Sequence, residues 1–433
     1  MKRFVLNEEN KKNILNDLLK RSTSNYPEYE KKVADICDDI KERKDQALFE
    51  YTLKFDKFAL NKDNILATDE EINAAYNSLD KEFIDIMKEA FENIKAYHKK
   101  QLRTSFFDTT EDGTFLGQRI MPIETVGVYV PGGKAAYPSS TLMNIVPALV
   151  AGCKRIVMCT PCNAEGKVNE TTLAAAKICG IKEIYKVGGA QAIAAMAYGT
   201  ESVPKVSKIV GPGNIFVALA KRYVYGHVSI DSIAGPSEIL VLADETANPR
   251  YVAADLMSQC EHDEMASGIL ITTDEKLADD VVKYVNLFLE DAPRKEILNK
   301  SLENFGFILV AKNMKDAVDA VNDIASEHLE ILTKNPLETM GMVKNAGAIF
   351  LGEYSSEPLG DYFAGPDHVL PTNGTAKFFS PLSVDDFIKK SSVICYSREA
   401  LEKSHLKIEK FAKSEGLYAH AKSIAVRFEN SEE

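Results

Sequence analysis

The chain has 433 residues, 45% hydrophobic and 27% charged, enough apolar material for more than one buried core. Its formal net charge of -12 argues against a general nucleic-acid binder, which carries a basic face, but leaves room for a local phosphate pocket. No apolar run reaches the ~20 residues of a membrane span. The charged opening MKRFVLNEENKKNILNDLLKR also lacks the apolar core of a signal peptide. Seven cysteines, an odd number, fit reduced thiols in a cytoplasmic protein.

Residues 1 to 100 are rich in Lys, Glu and Asp. Phe83, Met87, Phe91, Ile94 and Tyr97 recur at spacings of three and four, which predicts one face of an amphipathic helix. Two or three such helices are expected here, covering another element. From Val126 the character changes. VGVYV (126–130), RIVMC (155–159), EIYKV (183–187) and SKIV (207–210) alternate with Ala-rich segments of helical length. A second series follows in EILVLAD (238–244), GILITT (268–273), GFILVAK (306–312) and AGAIFLG (346–352). Strand–helix alternation predicts parallel sheets with helices on their faces, here two lobes meeting near 231–237. From Phe379 the alternation stops and a mixed tail remains.

Three glycine-rich turns stand where a strand hands over to a helix: VPGGKAAYPSS (130–140), VGGAQA (187–192) and VGPGNIF (210–216). Glycine lets backbone approach a ligand, and a helix N-terminus offers free N–H groups to an anion. Phe216 occupies the place of the third fingerprint glycine, so the last turn is only a partial dinucleotide motif. Each turn alone reads more readily as a tight connection with no ligand. Three at the carboxyl end of one sheet point to a binding site. Cys159-Thr-Pro-Cys162 is a CxxC without a second pair, and buried, inert thiols are expected there.

Asn248-Pro249 predicts a helix start. A helix from there puts Asp255, Gln259 and His262 of LMSQCEHDEMASG (256–268) on one face, a hydrated surface unless other residues supply partners. His98 and His405 lie among lysines and are expected to be solvated, and His227 lies in a turn. The remaining histidines keep unusual company: Glu327-His328 just past a helix, Asp361 and His368 in a glycine-punctuated loop, and His420 near the end of EGLYAH. One Gln, two or three His and one Asp make a four-coordinate N/O set that suits Zn²⁺ in a catalytic role.

These residues fall within long motifs: VGVYVPGGKAAYPSSTLMN, VGGAQAIAAMAYGTESVPKVSKIVGPGN, IDSIAGPSEILVLAD, SQCEHDE, SEHLE, GDYFAGPDHVLPT and EGLYAHAKSIAVR. In these, in this order and from end to end, the chain resembles the histidinol dehydrogenase family. The resemblance implies two incomplete Rossmann-like, aldehyde dehydrogenase-like parallel-sheet lobes. It groups them as a helical N-terminal extension (1–20), a zinc and substrate lobe (21–125 with 237–378), an NAD-side lobe (126–236) and a dimerisation tail (379–433). One zinc per subunit is implied at Gln259, His262, Asp361 and His420, with a catalytic pair at Glu327 and His328. Cofactor contacts are implied at Tyr129, Gln191 and Asn214, and substrate contacts at Ser237 and Glu415 besides the metal and catalytic residues.

The implied activity is oxidation of histidinol to histidine through the aldehyde, the last step of histidine biosynthesis. Two NAD⁺ are reduced, His328 is the general base and Glu327 activates water. The family also implies a homodimer in which His420 acts in trans, with no nucleic-acid or membrane partner. Two other readings use the same residues. A zinc hydrolase would employ Glu327 without a dinucleotide, and a metal-binding scaffold would hold zinc without turnover. His368 either touches substrate or braces its loop.

Overall fold

The computed structural model describes residues 1–21, 27–132 and 137–429. The glycine-rich turn expected at 130–140 therefore lies partly, at 133–136, outside the described residues. In chain order the strands are β1 (Lys2–Val5), β2 (Phe106–Thr109), β3 (Phe115–Pro122), β4 (Thr125–Tyr129), β5 (Arg155–Cys159), β6 (Ile184–Tyr185) and β7 (Lys208–Val210). They continue with β8 (Ser229–Ile230), β9 (Glu238–Ala243), β10 (Ser267–Thr272), β11 (Gly306–Val310), β12 (His328–Leu332), β13 (Ala348–Leu351) and β14 (Ile388–Cys395).

Residues 1–101 and 123–387 form one compact unit, and 102–122 with 388–433 form a second. The larger unit holds two all-parallel sheets. One runs β6-β5-β4-β7-β8 and the other β1-β11-β10-β9-β12-β13. Every residue of β9 and β10 is buried, as parallel strands covered on both faces require. The helix Pro249–Cys260 starts where the sequence indicates, its Asn248 side chain accepting from the Arg250 N–H.

The chain is grouped differently from the expected domains. Residues 2–5 are not helical: β1 pairs with β11 at the sheet edge, and Ile14 and Leu18 of the following helix pack into the same core. The helices between 27 and 99 belong with the five-stranded sheet, not with the zinc lobe. Val33, Ile36 and Ile40 share a core with Val157 and Ile209, and Ile84, Met87 and Ile94 share one with Val126 and Met158. Amphipathic periodicity names the face a helix buries, but not the sheet that receives it.

The smaller unit begins at Leu102 and not at Phe379. In it β14 lies antiparallel to β3 over eight residue pairs, with β2 on the other side of β3. That pairing joins segments some 270 residues apart, beyond the reach of a local pattern. Among the described residues no helix is long and apolar enough to cross a membrane.

Candidate active site

The catalytic candidates stand at the amino ends of β9 and β12, neighbours at the middle of the six-stranded sheet. Ala325, at φ 52, turns the chain out of the helix Met314–Ile324, so that Glu327 closes the loop and His328 opens β12. Gly347 lets this happen, because a Cβ there would collide with the Glu327 carbonyl. The backbone of one residue, Glu238, then fixes both side chains. The Glu238 N–H donates to Glu327 Oε2 at 2.9 Å, and the Glu238 carbonyl lies 3.0 Å from His328 Nδ1.

A carbonyl can only accept, so Nδ1 carries the proton and Nε2 of the neutral ring is left with its lone pair. Nε2 is buried, has no hydrogen-bond partner among the described residues, and lies 3.7 Å from Asp361 Oδ1. Glu238 is itself anchored, its carboxylate pairing with the buried guanidinium of Arg21.

Asp361 brings a second set of groups. It is not in a loop: Glu357–Tyr362 is a short helix with Pro358 in its first turn. Glu357 and Asp361, four residues apart, share its inner face. With His262, just beyond the C-cap of Pro249–Cys260, they present three ligand atoms within 4.8 Å of one another. Gln259, from the last turn of that helix and three residues before His262, is 1% exposed, and its Oε1 is buried without a hydrogen-bond partner among the described residues. A buried orphan acceptor and a His–Asp–Glu cluster fit the donor chemistry of Zn²⁺.

Glu357 was not among the expected residues, although its spacing from Asp361 was readable. Asp255 does not join this set: it pairs with Glu330 of β12, and burial pushes Asp255 up to about 6 and Glu330 well above its usual range.

The electrostatics follow from burial opposed by neighbours. Burial pushes the Glu327 carboxyl up to about 8 against the pull of His328. Burial alone would lower His328, but the Glu327 and Asp361 carboxylates overcome it and lift the ring to about 10. Asp361 goes the other way. Burial disfavours its charge, yet the rings of His328 and His368 hold it below the usual carboxylate range. Burial also lowers His262, keeping it neutral and ready to ligate. His368 braces the segment, its Nδ1 3.1 Å from the Asp361 carbonyl. His98 is not solvated: it is fully buried, 2.8 Å from Gln101 Oε1 and 3.5 Å from Asp367 Oδ2.

A cavity of about 1110 Å³ opens at the carboxyl ends of the five-stranded sheet, and Tyr129, Gln191 and Asn214 all line it. Two of them also build turns. Tyr129 Oη accepts the Gly189 N–H at 3.0 Å, and Asn214 caps Ile215–Val224 by accepting from Phe216 and Val217. Gly211, at φ 125, passes so close to the Tyr129 carbonyl that no side chain fits. The CxxC thiols are buried and held protonated; burial pushes Cys162 up to about 11 and Cys159 higher still.

A family model described as histidinol dehydrogenase matches residues 19–428. The chain belongs to the histidinol dehydrogenase family. It is 56% identical over 409 residues to a histidinol dehydrogenase of Geobacillus kaustophilus, covering 94% of this chain and 96% of the relative. It is 55% identical over 410 residues to that of Bacillus subtilis, with the same coverage. The crystal structure of histidinol dehydrogenase from Elizabethkingia anophelis superposes with a TM-score of 0.91 at 38% identity, over 99% of this chain and 98% of that one.

Set against the family motifs, the structure brings Glu327, His328, Asp361 and His262 into one cluster and buries Gln259 nearby in sequence to His262. Ser237 directly precedes β9, its carbonyl accepting from Ser267. Glu415 and His420 are in the smaller unit, both exposed, with His420 on the helix Tyr418–Ala425.

Proposed function

We propose that this chain oxidises histidinol to histidine in the last step of histidine biosynthesis, in the cytoplasm, as a zinc-dependent homodimer. Two NAD⁺ are reduced and one water is consumed per substrate. The observation that carries the reading is the Glu327–His328 couple, held by the Glu238 backbone N–H and carbonyl and facing the His262, Glu357 and Asp361 donors. Incubation of the protein with histidinol and NAD⁺ tests it: two reduced cofactors per substrate are expected. Cleavage of esters or amides with no nicotinamide reduction would favour the hydrolase instead.

In this reading Gln259, His262, Asp361 and His420 would hold one zinc per subunit, with Glu357 next to His262 and Asp361, and the metal would supply a template for the substrate's imidazole and amine nitrogens. The residues of the chain do the proton work. His328 takes the hydroxyl proton on Nε2 as hydride leaves for the first NAD⁺. Its lifted affinity for protons falls once a cation claims the Asp361 charge, bringing the ring toward neutrality where a general base works best. Glu327, next to it, removes a proton from the water that hydrates the aldehyde; His328, having released its first proton to solvent, takes the hydroxyl proton of the hydrate as the second hydride leaves.

No thiol is required, consistent with six of the seven cysteines being buried. The dinucleotide fits the cavity beside Tyr129, Gln191 and Asn214, its pyrophosphate at the starts of Gly189–Tyr198 and Ile215–Val224. Ser237 and Glu415 contact the amino alcohol.

Two outcomes divide these roles. Glu327→Gln is expected to slow oxidation of the aldehyde more than oxidation of the alcohol, measured by supplying each substrate separately. Equal losses would remove Glu327 from the hydration step. His262→Asn is expected to weaken zinc retention by more than the ~10–100-fold that loss of an outer-shell partner costs. Elemental analysis after dialysis against a chelator reads this directly, and unchanged zinc content would exclude His262 as a ligand.

A further inference from the structure

The cavity at the five-stranded sheet has two chemistries. Gly132, Gly189 and Asn214 line one part of it with backbone and amide groups, while Phe55, Ala67, Ala75, Leu79 and Val168 supply an apolar slot. Three acids line it. Glu71 pairs with Lys186 and caps its own helix, and Glu170 accepts from Ser78 at 3.1 Å. Asp56 differs from both. Its Oδ2 is buried with no hydrogen-bond partner among the described residues.

The position of Asp56 is also unfavourable by local rules. It is the last residue of the helix Asp45–Asp56, where the helix dipole disfavours a negative charge. Burial adds to that cost and pushes its carboxyl up to about 6. It lies near enough to Tyr129 and Cys162 to raise both of them. An acid placed against its helix dipole, half-enclosed and with one buried oxygen left unpaired among the described residues, is what a ligand-hydroxyl acceptor looks like before the ligand arrives.

We propose that Asp56 accepts the 2′-hydroxyl of the adenosine ribose, with the adenine in the apolar slot, and thereby selects against a 2′-phosphorylated cofactor. The inference rests on the dinucleotide reading of this cavity. A carboxylate is suited to both tasks: a hydroxyl donates to it, and a phosphate in the same enclosed place meets a like charge.

The test is calorimetric titration of the full-length protein, and of its Asp56→Asn variant, with AMP, 2′-deoxy-AMP and adenosine 2′,5′-bisphosphate. Circular dichroism verifies the variant's fold. The wild type is expected to bind AMP roughly tenfold more tightly than either analogue. In Asp56→Asn, AMP should weaken to the level of 2′-deoxy-AMP, 2′-deoxy-AMP should be unchanged, and the bisphosphate should approach AMP. Equal weakening of AMP and 2′-deoxy-AMP would reduce Asp56 to a shaping role and overturn the proposal, as would unchanged AMP affinity. A wild-type protein that binds neither NAD⁺ nor AMP sinks the cofactor reading itself. Normal NAD⁺ binding with an unaffected variant sinks only the role of Asp56.

Discussion

His328→Asn is expected to lower turnover of histidinol by about 10²–10⁴-fold while zinc content stays at the wild-type level. Asparagine can still donate to the Glu238 carbonyl, which His328 Nδ1 meets at 3.0 Å, so the start of β12 should hold its place. What it cannot supply is the basic nitrogen at the Nε2 position. The base works deprotonated, so the wild-type rate should climb with pH as the imidazole loses its proton, and the variant should lack that limb. Steady-state kinetics across pH, with metal content measured on the same preparations, tests both statements. Turnover within threefold of wild type would remove His328 from the chemistry.

The sequence made the two parallel sheets legible because fully buried strands write themselves as apolar runs: EILVLAD and GILITT became β9 and β10. β12 was not read as a strand. His328 begins it and Glu330 lies within it, and that acid is tolerated only because Asp255 and the Glu357 N–H meet it from other elements. Glu357 escaped notice for a related reason. Gly360 and Gly365 suggested a loop around Asp361, which hid the helical spacing that sets Glu357 beside it. His98 looked solvated from its lysine neighbours, yet the ring turns inward to Asp367.

The cavity at the five-stranded sheet lies where the rule for parallel strands puts a ligand, at their carboxyl ends. The His262, Glu357 and Asp361 cluster breaks it, gathered with His328 at the amino ends of the other sheet. No local pattern announces that reversal. It comes from the C-terminus of Pro249–Cys260 returning toward the start of β10.

A mixture of two inactive variants, His328→Asn and His420→Asn, is expected to regain about a quarter of wild-type activity once their subunits exchange. If His420 completes the site of the neighbouring subunit, a mixed dimer has one site with both defects and one with neither. With random pairing about half the dimers are mixed, and each carries one sound site of two. The smaller unit has the surface such exchange needs: Ile394, Leu406, Phe411 and Tyr418 are 73%, 68%, 69% and 70% exposed, large apolar groups that a second subunit would cover. Dissociation in mild denaturant, mixing and dilution, followed by the NAD⁺ reduction assay, gives the readout. Activity that never exceeds the sum of the separate variants would place His420 in its own subunit's site, because each mixed dimer would then hold two singly damaged centres.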